Sequence, residues 1–374
     1  MKNKLLTTAL VTSMVGAGTA VSVAQTTVSG NLDLSYMALS AKGNTGGINS
    51  FRGFGKESQI NLANKGKLNV GGMDYAAGFS LEFDGPDTGA TGMWEENVFI
   101  DFISGNTTIT FGSDHIQNPD TNPTMLSGIG YLRQDATINI SGTPTAVTGI
   151  YSAGANSPYS AYGMGIMQRL PGIGTLSAYY APSRDTNAGA LNDIFNSSTA
   201  IMAEPTGTRG TAESAYELGF RGDLGVKGLN TWIFYNKADR RDRVESGSDE
   251  KGKRVAATYT TGPFTIAGDY SKTEGTNTGI ASVVGVVGED ITSKSVGLGY
   301  AVSKDLSLSA TLAKANPSAV VSGRTNADEK IKVLALGYSL GPVSLQVMYK
   351  ETDNIAGYSG ADSTALSTRL STRF

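Results

Sequence analysis

The sequence contains no cysteine, one histidine and two tryptophans among its 374 residues. Without cysteine, neither a disulfide nor a thiolate-based site can form. A single imidazole argues against a histidine-based metal site or catalytic triad. Long apolar runs are also missing, because no stretch beyond the N-terminal segment approaches the about 20 apolar residues that a membrane-spanning helix needs.

The N-terminus has the pattern of a secretory signal peptide. Lys2 and Lys4 precede a mildly apolar stretch, and SVA (22–24) is a small-x-small cleavage site. Residues 1–24 are therefore predicted to be removed, which leaves 25–374 as one domain. The alternative is an N-terminal membrane anchor, which the Thr, Ser and Gly content of the stretch disfavours.

The charge balance is slightly acidic, with 30 Lys and Arg against 33 Asp and Glu. Loss of the two lysines in the leader enlarges the acid surplus, so a generally basic nucleic-acid-binding protein is excluded. The stretch GSDEKGKR (247–254) resembles a phosphate loop, but Arg254 stands where Ser or Thr is required and no buried parallel strand precedes it. Neither a nucleic-acid partner nor a cofactor is expected.

Two-residue alternation is the dominant pattern of this glycine-rich chain. The C-terminal ALSTRLSTRF places Leu366, Leu370 and Phe374 on one parity and Arg369 and Arg373 on the other. The stretches YAAGFSLEFD and VSLQVMYKE alternate in the same way, whereas the 3.6-residue period of helices is almost absent. The chain is predicted to be all-β.

The connections between these segments alternate between short turns and long loops. Seven short turns rich in Gly, Pro, Asn or Asp and eight long loops separate sixteen predicted strands. The predicted strands are 26–40, 57–68, 73–84, 94–104, 106–113, 159–169, 174–182, 213–222, 228–238, 251–261, 263–272, 291–303, 305–315, 328–340, 342–353 and 363–374. A further hairpin within 114–158 would give eighteen strands.

This pattern predicts a transmembrane antiparallel β-barrel. Tilted strands of about ten residues cross a bilayer, and a sheet in lipid must close so that no backbone group is left unpaired. A ring of about sixteen strands encloses water, so the inner face should be polar and the outer face apolar. A secreted soluble β-protein would also alternate, but it would not explain the rhythm of turns and loops or the aromatic C-terminus.

Three features resemble the general porins of Gram-negative bacteria: VSGNLDLSY after the cleavage site, a terminal strand ending in Phe374, and a long loop after the fifth strand. The resemblance covers essentially all of the mature chain. It implies Sec export, a 16-stranded barrel in the outer membrane, a homotrimer, and passive diffusion of ions and small hydrophilic solutes rather than an enzyme activity. It also implies that Phe374 is the signal read by the barrel-assembly machinery.

The resemblance further implies that the third extracellular loop folds into the lumen and narrows it. The PEFGG-like stretch that often marks this loop is absent, and HIQNPDTNPTMLSGIGYLRQ occupies its position. The ionisable candidates in this loop are Asp114, His115, Asp120, Arg133 and Asp135.

Strand parity predicts which charged residues line the lumen wall. The acids are Asp33, Glu82, Glu95, Asp101, Glu213, Glu217 and Asp269, and the bases are Arg169, Arg221, Lys350, Arg369 and Arg373. Acidic loop groups that oppose basic wall groups would create a transverse field and set ion preference. Alternatively, most of these charges are solvated wall residues of little individual effect. The acid surplus favours cations.

Other functions remain open at this stage. A substrate-specific channel, selective for sugars or anions, is the main alternative, and a sugar channel would need a track of inward aromatic residues. The inward candidates are Phe99, Tyr179, Trp232 and Phe234. An outer-membrane barrel enzyme is disfavoured because His115 is the only imidazole. The charged loop 237–254 is predicted either to contact lipopolysaccharide or to be an ordinary solvated loop.

Overall fold

The computed structural model describes residues 25–42, 50–69, 71–86, 92–112, 123–127, 162–181, 212–240, 250–278, 286–318 and 325–374. The predicted leader, residues 1–24, lies outside them. They form sixteen strands and one short 3-10 helix, Ile355–Gly357. The strands are β1 (Gln25–Lys42), β2 (Phe51–Lys67), β3 (Asp74–Pro86), β4 (Gly92–Ser104), β5 (Thr107–Gly112), β6 (Gly163–Leu170), β7 (Gly174–Ala181), β8 (Ala212–Gly222), β9 (Leu229–Arg240), β10 (Glu250–Thr261), β11 (Phe264–Thr278), β12 (Val286–Ala301), β13 (Leu306–Pro317), β14 (Glu329–Leu340), β15 (Val343–Asp353) and β16 (Asp362–Arg373).

Each strand pairs antiparallel with its neighbours in sequence, and β1 pairs with β16, so the sheet closes into a barrel of sixteen strands. The backbone bonds between Gly30 and Phe374 complete the seam: Gly30 N donates to Phe374 O at 2.9 Å, and Phe374 N donates to Gly30 O at 3.0 Å. β5 pairs directly with β6. The alternative of eighteen strands is therefore wrong, since no hairpin from the intervening loop enters the wall.

The two faces of the wall differ as the alternation predicts. On β16, Leu366 and Leu370 point outward and are exposed, whereas Ala365 and Ser367 point inward and are buried. Large apolar side chains cover the outer face on the other strands as well, which matches the apolar band of an outer-membrane barrel. Within the described ranges, no helix has the length and apolar character needed to span a membrane.

One sector of the inner face is apolar. Ile331, Val333 and Met348 on β14 and β15 are buried against Ile355 and Ala361 of the β15–β16 loop. This loop folds back on itself, since Ile355 N donates to Ala361 O at 2.7 Å. The expectation of a uniformly polar inner face is wrong here, because the loop covers the apolar side chains and excludes water from them.

Candidate functional site

The inner wall holds the charged residues that could act on a passing solute. Asp33, Asp101, Glu217, Asp269 and Lys350 are all buried on this face. Of the other predicted wall residues, five occupy inner positions: half-buried Glu82 and Arg369, and exposed Arg169, Arg221 and Arg373 near the short-turn end of the barrel. At these positions the side chains therefore face the lumen, as the alternation predicts.

Glu95 is affected by a break in the alternation of β4. The register between β3 and β4 shifts between Gly78 and Ser80, and Asn97 has a φ of 50°. One extra residue in a strand reverses the parity beyond it. Glu95 is in register with Leu81 rather than with an inner position, and its side chain lies outside the described part of the chain.

The closing seam brings two predicted wall residues together. The Arg369 guanidinium on β16 forms an ion pair with the Asp33 carboxylate on β1. Asn31 Nδ2 also donates to Asp33 Oδ2 at 3.4 Å. This pairing links the first and last strands through their side chains as well as their backbones, and it neutralises Asp33.

A second ion pair involves a residue that sequence reasoning missed. Arg254 on β10 binds Asp269 on β11, with 2.5 Å between Nη2 and Oδ2 and 3.3 Å between Nε and Oδ1. Both side chains are only 1% exposed. Arg254 falls both in the predicted strand 251–261 and in the charged loop 237–254, and the alternation of β10 extends through it to Gly252, which also faces inward.

Three of the four inward aromatic residues are buried in the wall. Tyr179, Trp232 and Phe234 are 3–6% exposed. The Tyr179 hydroxyl donates to Gly112 O at 2.5 Å, and the Arg221 guanidinium lies 5.4 Å from the centre of the Trp232 ring. Since little of these rings is accessible, they cannot supply the exposed aromatic track that a sugar channel needs.

The loop after β5 reaches the opposite wall at residues 123–127. The Thr124 and Ser295 hydroxyls are 2.9 Å apart, the Thr311 hydroxyl donates to Thr124 O at 2.5 Å, and Ser127 N donates to Ser309 Oγ at 3.1 Å. These partners lie on the inner faces of β12 and β13. Because β13 is eight places from β5 in the ring of sixteen, the loop is anchored on the far side of the lumen.

Glycines make room for this anchor. A Cβ on Gly297 would lie 2.4 Å from Thr124 O, and one on Gly299 would lie 2.9 Å from Leu126 Cδ1. The contact with Thr124 O is with backbone and cannot be relieved without moving the segment, whereas the contact at Gly299 would require the Leu126 side chain to shift. The inner face of β12 is therefore built to accept the chain at 123–127.

The loop candidates for the constriction lie outside the described residues. They are Asp114, His115, Asp120, Arg133 and Asp135. The Glu213 side chain is also outside the described part. Where side chains are described, no group of three or more His, Cys, Asp or Glu residues could hold a metal ion.

Comparison with known proteins supports this architecture. The family model for the Gram-negative porin matches residues 7–357. The chain superposes on an anion-selective porin from Comamonas acidovorans with a TM-score of 0.61 and 14% identity, covering 94% of this chain and 100% of the other. OmpF of Salmonella typhi in complex with daunomycin gives a TM-score of 0.61 at 12% identity, covering 94% of this chain and 98% of that one.

The outer-membrane channel DcaP of Acinetobacter baumannii gives a TM-score of 0.63 at 9% identity, covering 94% of this chain and 97% of that one. No curated protein matches the sequence. At these identities the solved structures show a shared fold.

Proposed function

Because the chain belongs to the Gram-negative porin family, we propose that its barrel is a water-filled channel through which ions and small hydrophilic solutes diffuse passively. The protein lies in the outer membrane, and both the family and the fold are those of channels. The observation that carries the proposal is the anchoring of 123–127 on the inner wall of a closed barrel. A loop held there narrows the passage without sealing a ring of this width.

Size and charge are proposed to select the solutes. The loop after β5, with Asp114, His115, Asp120, Arg133 and Asp135, would form the constriction. On the wall, Asp33 and Asp269 are each neutralised by an arginine, so they contribute little net field. The proposed weak preference for cations therefore depends on the other wall carboxylates, Glu82, Asp101 and Glu217, and on those of the loop.

General diffusion is favoured over a sugar-specific channel. Tyr179, Trp232 and Phe234 are buried, and a sugar track requires accessible rings along the path. Selectivity for anions is the remaining alternative, as in the porin of Comamonas acidovorans.

We also propose a homotrimer, in which the outer face of β1 and β2 contacts a second copy. Lys56 and Ser58 lie in register with the outward residues Leu34 and Leu32, and outward Phe54 lies beyond them. Polar Lys56 and Ser58 interrupt the apolar outer face at this place, and polar groups on the lipid side of such barrels are unfavourable. Cover by a neighbouring barrel would keep them away from the acyl chains.

Three further proposals concern export and surroundings. Residues 1–24 would direct Sec export, and Phe374 would be the signal read by the barrel-assembly machinery. The loop 237–254 would contact lipopolysaccharide. Its central residues, 241–249, lie outside the described part of the chain.

Single-channel recording of the purified protein in a planar bilayer tests the proposed function. We expect ohmic conductance that appears in groups of three steps, does not saturate with sugars, and reverses at a potential indicating weak cation preference under a salt gradient. Block by sugars would favour a substrate-specific channel. A membrane that stays non-conducting would contradict the channel itself.

A further inference from the structure

Two exposed arginines lie close together on the inner wall at the short-turn end of the barrel. Arg169 of β6 and Arg221 of β8 are both in register with Thr175 of β7, so the three residues form one row on the inner face. Neighbouring strands are about 4.8 Å apart, which places the two arginines about 10 Å apart with only the short Thr175 side chain between them. Two side chains of this length can reach one small ligand together. We name Arg169 and Arg221 the arginine pair.

The two turns next to the arginine pair are joined to each other. Leu224 N in the turn after β8 donates to Ile173 O in the turn after β6 at 2.9 Å. Gly174 and Gly222 pack directly together, since a Cβ on Gly222 would lie only 2.3 Å from Gly174 Cα. Because the two turns are held to each other in this way, the backbone sets the distance between the two arginines.

A buried tryptophan orients one member of the pair. Trp232 of β9 is the residue in register with Arg221, and the Arg221 guanidinium lies 5.4 Å from the centre of its ring. The ring is only 6% exposed, so the wall holds it in place. A guanidinium attracted to the face of a ring still presents N–H donors to a ligand. Arg221 is therefore positioned before any ligand arrives.

The charge of the arginine pair is not compensated nearby. Among the residues that the structure describes, neither Arg169 nor Arg221 forms an ion pair. Asp223 Oδ1 already accepts a backbone hydrogen bond of 3.0 Å within its own turn, and Lys227 of that turn balances its charge. Glu217 is buried and lies about 13 Å along β8 from Arg221. Two positive charges are thus open to the lumen.

We propose that the arginine pair binds the phosphate group of small phosphorylated solutes at the periplasmic mouth of the channel. The short turns of such barrels face the periplasm, which places the pair at this mouth. The inference rests on the proposed diffusion function, because diffusion brings the solutes into the lumen. The site is separate from the anchor of 123–127, whose partners lie on β12 and β13.

The charge and shape of the pair select phosphate over a simple carboxylate. A single guanidinium can satisfy a carboxylate through two parallel hydrogen bonds. A phosphate monoester carries close to two negative charges at neutral pH and has three acceptor oxygens, so it can bind two guanidinium groups at once. Retention of phosphorylated solutes at the mouth is compatible with a weak preference for cations among simple ions, because the acidic wall residues lie deeper in the lumen.

The test is a titration of the purified protein with glycerol phosphate at constant ionic strength. In a Trp94→Phe background Trp232 is the only tryptophan, and its emission should change as the ligand binds Arg221. Arg169→Gln keeps this reporter intact and should weaken binding about tenfold or more, because charge-assisted hydrogen bonds are lost. The matched control, Lys65→Gln, removes the same charge at an exposed position near the short-turn end of β2, four strands from β6. It should bind as the unmodified protein does.

Two further measurements separate a site from general attraction of anions. Equilibrium dialysis against radiolabelled glycerol phosphate gives the affinity independently of the emission. Arg169→Lys keeps the charge but loses the planar fork, so it should restore the affinity only in part. Unchanged affinity in Arg169→Gln, an equal loss in Lys65→Gln, full affinity in Arg169→Lys, or equally strong binding of acetate would each overturn the proposal.

Conductance distinguishes failure of this inference from failure of the channel. Glycerol phosphate added on the periplasmic side of a planar bilayer should lower the current more than the same concentration added on the other side, and Arg169→Gln should remove the difference. A conducting channel that does not bind glycerol phosphate would overturn the site and leave the diffusion function standing. Binding in detergent by a protein that never conducts would contradict the channel and leave the site standing.

Discussion

At the scale of single residues, Gly30 decides whether the seam can close. The ring of Phe374 lies over it on the outer face, so that a Cβ on Gly30 would be 2.6 Å from the ring and 2.3 Å from Gln59 O. The aromatic C-terminus thus has a structural partner as well as its proposed part in assembly. Only the smallest residue permits this packing.

Replacement of Gly30 by valine should weaken the barrel. The added methyl groups would displace Phe374 from the seam, and overpacking of this kind costs about 1–3 kcal/mol. We expect a lower temperature for the loss of the folded band in semi-native gel electrophoresis.

The matched control is Gly268→Val, on the outer face of β11, where a Cβ would meet nothing within 4 Å. This variant should behave as the unmodified protein. Equal melting of both variants would mean that Gly30 tolerates a side chain.

Single residues also show which features of the wall the sequence predicts and which it does not. Arg254 could have been placed on the lumen wall from the sequence, since it lies in the predicted strand 251–261 and its parity is that of Ala256 and Thr258. Its partner Asp269 was predicted to face the lumen. The ion pair itself could not be predicted, because it runs diagonally between strands rather than between residues in register.

At the scale of elements, all sixteen strands lie where alternation and turns predict them, with differences at their ends. β12, for example, begins at Val286 rather than at 291. Alternation reports strands well because one face of each is apolar over its whole span. The predicted facing of side chains on β4 fails at Asn97, because a bulge there reverses the two faces. The predicted polar inner face fails at Ile331 and Val333, because a distant loop covers these side chains.

The anchor at 123–127 gives a prediction at this scale. Ser309→Ala with Thr311→Val removes two hydrogen bonds that hold the segment to β13. Each such bond contributes about 0.5–1.5 kcal/mol, so the segment should leave the wall more often. We expect larger current fluctuations and altered single-channel conductance, while the heat stability of the barrel changes little.

The control for this variant is Thr260→Val. It removes a hydroxyl contact of 3.0 Å to Thr265 near a short turn, away from the anchor. Its single-channel current should match that of the unmodified channel. Quiet, unchanged current in the double variant would show that these bonds do not position the loop.

At the scale of the whole molecule, Lys56 gives the test of the trimer. Lys56→Glu places the opposite charge on the proposed contact face of every copy and should shift the assembly from trimers toward monomers in native gels and light scattering. Lys304→Glu, in an exposed turn, changes the charge equally and should leave the trimer intact. If the Lys56 variant remains trimeric, the contact between copies lies on another face of the barrel.

The anchor of 123–127 has a mechanical consequence for the whole cylinder. A hollow ring of sixteen strands can flatten under the lateral pressure of the surrounding acyl chains, since no packed core supports it from within. A polypeptide fastened to the wall opposite its origin limits how far those two sides can move apart. The bonds of Thr124 and Ser127 therefore help to maintain a round cross-section.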